Sequence, residues 1–151
     1  MPTAYTVDRL FGEGYITQKH AHQIRMLLRE LHPEKDFNGV TLTKLVQYAQ
    51  RNRLVVARTG AGKSIIGMAT GVKRAEFSGY VGDIRDVVVL KRFRRQGIAR
   101  ALVQDLIKWA ERTNLSMLKL TSSDGHAEAH PLYESLGFEK TGTTNKFVLT
   151  L

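Results

Sequence analysis

Two glycine-containing stretches have the residue types to hold a phosphate group. The first is "TGAGKS" at 59–64, which ends in Gly-Lys-Ser like a nucleotide-binding P-loop. A P-loop needs Gly-x-x-x-x-Gly-Lys-Ser/Thr and must run from a strand into a helix. Ala57 stands where the first glycine is required, and the β-branched "IIGMATG" follows Ser64. Without a helix start there is no array of free N–H groups for a phosphate, so the sequence predicts a hairpin turn here.

The second stretch is "VVVLKRFRRQGIARAL" at 87–102, which runs from an apolar strand through a short basic loop into a helix pattern. Gly97 lets the backbone approach a ligand without a Cβ in the way. Ile98 and Ala99 open the helix, where unpaired N–H groups and the positive dipole end favour an anion. Arg94 and Arg95 add planar, forked donors suited to phosphate oxygens. A simple β-to-α turn explains the glycine but not the basic clustering, so we predict a pyrophosphate-sized anion site.

The periodicity of apolar residues predicts the elements that position this loop. Strands are predicted at 5–9, 53–58, 64–70, 80–90 and 116–120, helices at 17–31, 42–49, 98–112 and around 129–136, and a closing hairpin across "TGTTN" at 141–145. Gly137 is placed to cap the last helix. The resulting order, β-α-α-β-β-β-α-β-α-β-β, predicts one mixed α/β domain over residues 1–151.

Composition limits the class of protein. The chain has 151 residues, 42% hydrophobic and 25% charged, and no cysteine, which excludes disulfides, thiol nucleophiles and cysteine metal sites. We expect no metal, because His20 and His22 do not share a helix face, and Pro131 places His126 at or before the start of the helix that carries His130. No signal-like start or bilayer-length apolar run is visible, so a cytoplasmic protein without a membrane partner is predicted. The net charge of +9 indicates either a polyanionic partner or a solvated basic face.

At the second glycine stretch the chain resembles the GNAT superfamily of acetyl-CoA-dependent N-acetyltransferases. The segment 94–99, Arg-Arg-Gln-Gly-Ile-Ala after "DVVVL", is similar to the family's Arg/Gln-x-x-Gly-x-Gly/Ala. Downstream, "HAEAHPLYESLGF" at 126–138 resembles the family's Ala-x-x-Leu-Tyr-Glu-x-x-Gly-Phe. The resemblance implies a central mixed, mostly antiparallel sheet flanked by helices, and an acyltransferase that moves an acetyl group from acetyl-CoA to a primary amine of a small molecule or protein.

The resemblance also implies roles for particular residues. Cofactor contacts fall on Val87, Val88, Val89, Arg94, Arg95, Gln96, Gly97, Ile98, Ala99 and Arg100, with His126 where the family often has an asparagine. The backbone around 95–100 would hold the pyrophosphate, and the three valines would face the pantetheine arm, with the Val87 N–H as oxyanion donor. Tyr133 matches the general acid that protonates the leaving thiolate. Asp83 matches a position used for the base, with Asp86 or water as alternatives. Being three apart on a strand, the two carboxylates are expected on opposite faces.

The acceptor is expected near the loops at 30–39 and 73–80. Their acidic residues Glu30, Glu34, Asp36 and Glu76 are candidates to attract an ammonium group, and Phe37, Phe77 and Tyr80 are candidates to wall an apolar substrate. Two other classes remain open. A non-catalytic CoA-binding regulatory protein would not need Tyr133, and a nucleic-acid-binding module would want aromatic residues among the arginines, where only Phe93 stands. Family members often dimerise through their last strands, so a homodimer is a further expectation.

Overall fold

The computed structural model describes residues 2–60, 63–121, 128–141 and 146–151. The strands are β1 (Tyr5–Arg9), β2 (Arg53–Thr59), β3 (Ile65–Glu76), β4 (Gly79–Val89), β5 (Met117–Thr121), β6 (Glu139–Thr141) and β7 (Lys146–Thr150). The helices are α1 (Gln18–Leu31), α2 (Leu42–Arg51), α3 (Ile98–Arg112) and α4 (His130–Ser135), and a 3-10 turn covers Lys91–Phe93. The order of strands and α-helices agrees with the predicted order. None of the helices in these ranges is long and apolar enough to cross a bilayer.

All seven strands form one sheet, in the order β1-β2-β3-β4-β5-β7-β6. Every neighbouring pair is antiparallel except β4 and β5, which run parallel. The crossover between those two strands is α3, as a parallel connection requires. The predicted fold class, a mixed and mostly antiparallel sheet flanked by helices, is confirmed.

Each face of the sheet has its own apolar core. Leu102, Leu106 and Ala110 of α3 pack on one face together with Tyr133 of α4 and Phe147 of β7. Ile24 and Leu27 of α1 and Leu45 and Ala49 of α2 cover the other face. Alternate residues of β2 enter different cores, Val55 on the α3 side and Val56 on the α1 side, because strand side chains alternate.

The parallel strands β4 and β5 pair only along part of their length. Residues Val81–Ile84 of β4 match Met117–Leu120 of β5, and the rest of β4 pairs with β3 alone. From Arg85 to Val89, the edge of β4 that faces away from β3 therefore has no strand partner in the described part of the chain. An unpaired edge in mid-sheet offers backbone N–H and C=O groups to an extended ligand.

A β-bulge lies in the same segment of β4. Met68 is opposite Val88 and Thr70 is opposite Arg85, so Ala69 faces two residues, Asp86 and Val87. Asp86 has φ of +54°, a left-handed conformation that asparagine and aspartate tolerate better than most residues. The extra residue shifts the alternation of side chains along the strand.

The bulge overturns the expectation that Asp83 and Asp86 point to opposite faces. Asp83 hydrogen bonds to Arg74 of β3, which lies four residues from Thr70 and hence on the same face of that strand. Asp86 lines a cavity with Thr70 on that same α1–α2 face. Three residues of regular strand would have separated the two carboxylates; the inserted residue brings them to one side.

The strands that flank the "TGAGKS" stretch, β2 and β3, pair antiparallel, as the predicted hairpin requires. The Thr59 N–H donates to the Ser64 carbonyl at 3.0 Å, and the Lys63 N–H donates to the Thr59 carbonyl at 3.0 Å. Strand β3 begins at Ile65, immediately after Ser64. Residues 61 and 62 lie outside the described residues. Because a strand rather than a helix follows Lys63, the P-loop interpretation has no structural support.

Candidate active site

The predicted anion loop joins β4 to α3. Gly97 is the N-cap of α3 with φ of +80°, and Arg95 also has a positive φ of +61°. The first intrahelical bond runs from the Ala101 N–H to the Gly97 carbonyl at 3.0 Å, so the N–H groups before Ala101 have no helical acceptor. In the described ranges, no acceptor is found for the backbone N–H groups of 95–100. Successive free donors at a helix start form a concave site for an anion.

The side chain of Arg94 is used within the protein. Its Nε donates to the Val89 carbonyl at 3.0 Å, and its Nη2 donates to Glu30 Oε1 at 3.2 Å. The same Glu30 oxygen accepts from the Lys91 N–H at 3.2 Å. These contacts fasten the basic loop to the end of β4 and to the last turn of α1. Arg94 therefore has a structural task that its predicted cofactor contact did not include.

The other side chains of the loop have separate positions. Gln96 Oε1 accepts a hydrogen bond from the Thr3 N–H at 2.7 Å, which joins the N-terminal segment to the loop. Arg95 is exposed to solvent. Arg100 Nη2 donates to Ser135 Oγ and so connects α3 with α4. Ile98 is buried in the α3-side core, where Ala99 packs against it. Only Arg95 among these long side chains has its charge directed into solvent without a protein partner in the described residues.

Tyr133 is held firmly on the short helix α4. Its ring centroid lies 5.6 Å from that of Phe147 and 6.1 Å from that of Phe138, and the residue is 6% exposed. Gly137, with φ of +94°, closes the helix as predicted: its N–H donates to the Glu134 carbonyl at 3.0 Å, and the Phe138 N–H donates to the Tyr133 carbonyl at 3.1 Å. This pattern is the Schellman cap.

The Tyr133 hydroxyl makes no hydrogen bond to any described residue. Burial raises the pKa of Tyr133 to about 12, so the hydroxyl keeps its proton at neutral pH. Tyr133 belongs to the same core as Val89 and Ile98, and Val87 packs against that core. A protonated hydroxyl without a hydrogen-bond partner among the described residues, on a ring in the same core as Val89 of β4 and Ile98 of α3, is suited to donate to a ligand.

A cavity of about 210 Å³ lies on the opposite face of the sheet, between the first two helices and strands β2 to β4. Its lining residues are Ile24, Leu28, Val40, Lys44, Leu45, Tyr48, Leu54, Met68, Thr70 and Asp86. Among the described residues, Asp86 supplies the single carboxylate of the lining. Because Asp86 belongs to the segment of β4 without a β5 partner, the cavity reaches that segment.

The two candidate bases have different surroundings. The Asp83 carboxylate accepts from Arg74 at 3.0 and 3.5 Å, within a network in which Arg74 and Lys119 also contact Glu76. Asp86 has no hydrogen bond within the described part of the chain. Burial raises the pKa of the Asp86 carboxyl, against the opposing positive charges of His32, Arg85 and Lys35. A partly buried carboxylate without a bonded partner is typical of a functional site.

Four of the loop residues that are candidates to surround the acceptor lie outside the lining of this cavity. Glu30 is bonded to the basic loop and Glu76 to Arg74, while Phe77 is wholly exposed at the β3–β4 turn. The Lys73 ammonium nitrogen lies over the Tyr80 ring, 4.2 Å from its centroid. None of these four lines the cavity, and the proposed contact at His126 lies outside the described residues. Tyr48 and Thr70, which do line it, were missed because single polar residues in a helix and a strand give no distinctive sequence signal.

Comparison with known proteins agrees with this geometry. The sequence model of the acetyltransferase (GNAT) family matches residues 21–138. The N-acetylaspartate synthetase of Danio rerio is 39% identical over 67 residues, which cover 44% of this chain and 24% of that protein. The chain thus spans only about a quarter of the length of this relative.

Solved structures show the same fold over almost the whole chain. A Trypanosoma brucei acetyltransferase has a TM-score of 0.75 and 25% identity, covering 93% of this chain and 96% of the other. A structure of the NatC complex bound to Gag peptide and CoA has a TM-score of 0.79 at 20% identity, and the match covers 100% of this chain and 99% of the other. Since the family model covers most of the chain, this protein belongs to the GNAT family of acetyltransferases.

Proposed function

We propose that this protein is an N-acetyltransferase that moves an acetyl group from acetyl-CoA to a primary amine. The observation that carries the proposal is the row of backbone N–H groups at 95–100 without an acceptor among the described residues. This row follows, after a 3-10 turn, strand β4, whose edge away from β3 has no described strand partner from Arg85 to Val89. Membership of the acetyltransferase family supplies the reaction class. A binding protein without catalysis would need the loop but not Tyr133, whose hydroxyl has no hydrogen-bond partner among the described residues.

The residues fit a nucleotide thioester in three respects. The N–H groups of 95–100 and the αL backbone at Gly97 give an anion site that a Cβ-bearing residue would adopt only with strain. Arg95 adds an exposed positive charge. The backbone of Val87 to Val89 offers hydrogen-bonding groups to an extended chain. When bound, acetyl-CoA supplies an activated acetyl group; every other requirement of the reaction falls on the protein.

The chemistry that the protein must perform divides between two side chains. An acceptor that arrives as an ammonium first releases one proton to solvent; its nitrogen then bonds to the acetyl carbon, the carbon–sulfur bond breaks, the nitrogen loses a second proton and the sulfur gains one. Tyr133, protonated at neutral pH, provides the proton for sulfur, and we assign removal of the amine proton to Asp86. We assign this role to Asp86 rather than to Asp83 because the Asp83 carboxylate already accepts a hydrogen bond from Arg74. The bulge leaves the Val87 N–H as the proposed donor to the developing oxyanion.

Calorimetric titration tests the cofactor site. Acetyl-CoA and ATP are titrated separately into the wild type and into Gly97→Glu and Lys63→Ala variants. Gly97→Glu introduces strain at a positive φ and a negative charge against a phosphate, so acetyl-CoA binding should be lost. Lys63→Ala, in the β2–β3 turn, is the matched control and should bind acetyl-CoA as the wild type does. ATP binding that depends on Lys63, or no acetyl-CoA binding by the wild type, would contradict the proposal.

Turnover is followed by release of free CoA thiol with a panel of amines. A wild type that binds acetyl-CoA and releases thiol only when an amine is added supports transfer. Binding without amine-dependent release would favour the alternative, a CoA-binding regulatory protein. An aspartate-to-asparagine pair, Asp83→Asn and Asp86→Asn, decides the base: only Asp86→Asn is expected to lose most of the rate, by about 10²–10⁴-fold.

A further inference from the structure

We propose that the acceptor is a primary amine carrying an apolar group of about the size of an aromatic ring, which fills the cavity between α1, α2 and the sheet with its ammonium on Asp86, and that acidic amino acids are not acceptors. This inference rests on the proposed acetyl transfer, because it assigns the second substrate of the same site.

The walls of the cavity are apolar. Ile24, Leu45, Leu54 and Met68 are each buried, and together with Leu28 and Val40 they form most of the lining. Such walls give a polar substrate no hydrogen bonds in exchange for those it makes with water, whereas an apolar group gains by leaving water. The walls therefore select for an apolar body in the acceptor.

The volume sets the size of that body. The cavity measures about 210 Å³, and an apolar cavity of about 150 Å³ is large enough to bind benzene. A phenyl ring with a short alkyl arm consequently fits, while a methyl or ethyl group would leave most of the space unfilled.

The few polar groups fix the orientation. Burial raises the pKa of the Tyr48 hydroxyl, and its interaction with the Thr70 side chain opposes that rise, so these two polar groups lie close together. Among the described residues, Asp86 is the one carboxylate that lines the cavity, and it lacks a hydrogen-bond partner there. An ammonium group can pair with it at the end of the cavity that adjoins Val87, next to the unpaired edge of β4.

The same charges disfavour an acidic acceptor. An amino acid such as aspartate would bring two carboxylates into a space that already contains Asp86. Among the described residues, Lys44 is the one cation that lines the cavity, and it is exposed. His32, Arg85 and Lys35 act on Asp86 electrostatically but do not line the cavity. This chemistry differs from what the name of the matched N-acetylaspartate synthetase indicates for that relative.

The first test measures acceptor preference by thiol release with acetyl-CoA in excess. The panel is 2-phenylethylamine, a tripeptide beginning with phenylalanine, ethanolamine and L-aspartate. The expected result is a kcat/KM at least tenfold higher for one or both phenyl-bearing amines than for ethanolamine, with aspartate at background. The two phenyl-bearing compounds distinguish a small-molecule from a peptide source. Equal or better turnover of ethanolamine or aspartate would overturn the inference while leaving acetyl transfer intact.

The second test does not depend on turnover. Binding of 2-phenylethylamine and of the phenylalanyl tripeptide to the CoA-bound protein is measured by calorimetry, in the wild type and in Asp86→Asn and Asp105→Asn variants. Asp105 pairs with Arg53 away from the cavity at 3.0 Å, so Asp105→Asn controls for loss of a carboxylate. We expect at least tenfold weaker binding in Asp86→Asn alone. If neither amine binds the wild type, or both variants behave alike, the inference fails, even where the thiol assay has shown transfer to another amine.

Discussion

Replacing Tyr133 by phenylalanine separates catalysis from stability. The hydroxyl has no hydrogen-bond partner in the described residues, and the ring packs between Phe138 and Phe147. The phenylalanine ring keeps these contacts, so the variant loses the proton donor and little else. If Tyr133 is the general acid, the rate should fall by about 10²–10⁴-fold.

The stability of this variant should stay nearly the same. The ring contacts with Phe138 and Phe147 are kept, and no hydrogen bond to a described residue is lost. A loss of about 1 kcal/mol would correspond to a fall of about 2–4 °C in Tm for a chain of this length. Thermal unfolding and acetyl-CoA titration accompany the thiol assay, and acetyl-CoA affinity should be nearly unchanged.

Two results would refute this reasoning in different ways. A rate within about threefold of the wild type would show that Tyr133 is not the acid. A drop in Tm of several degrees would show that the hydroxyl has a structural partner in the folded protein. The control is Tyr15→Phe, which removes the hydroxyl of an exposed tyrosine and should leave rate and Tm as they are.

Three other predictions concern the pH dependence caused by Asp86, the basic loop before α3 and the N-cap of α3. Because burial raises the pKa of Asp86, its ionisation opposes folding, and the free energy of unfolding should fall as pH rises from about 4 through the folded pKa. Urea unfolding of Asp86→Asn should not show this fall. In the thiol-release assay, the same variant should lack the decrease in rate that the wild type shows at acid pH. Arg94→Lys should weaken acetyl-CoA binding as much as Arg94→Ala, since the Nε bond to Val89 requires a guanidinium; near-normal affinity in calorimetry of Arg94→Lys would indicate a simple charge contact instead. Gly97→Ala should lose about 1–2 kcal/mol in thermal unfolding because of its positive φ, whereas Gly97→Asn should lose less, and equal losses would contradict the argument from conformation.

The order of elements was accessible from the sequence because each element carries its own local signal. The apolar spacing of α1 and α3, the glycine caps of α3 and α4, and the strand–loop–helix sequence around Gly97 all follow from neighbouring residues. Strand β3 shows the limit. The sequence predicted a strand to residue 70, but β3 continues to Glu76, since the polar second half of the strand pairs with the first half of β4.

The sequence by itself determined the strand–loop–helix arrangement around Gly97 and the absence of a P-loop pattern at "TGAGKS", because these depend on residue type and short-range spacing; the proposed role of Tyr133 came from the family resemblance. Only the tertiary structure decided which groups surround the cavity proposed for the acceptor. The bulge at Asp86 reverses which face that carboxylate occupies, Arg74 occupies Asp83 from another strand, and Glu30 is bonded to a loop about 60 residues away. Local patterns cannot specify such pairings, because they depend on where distant segments meet once the sheet has formed.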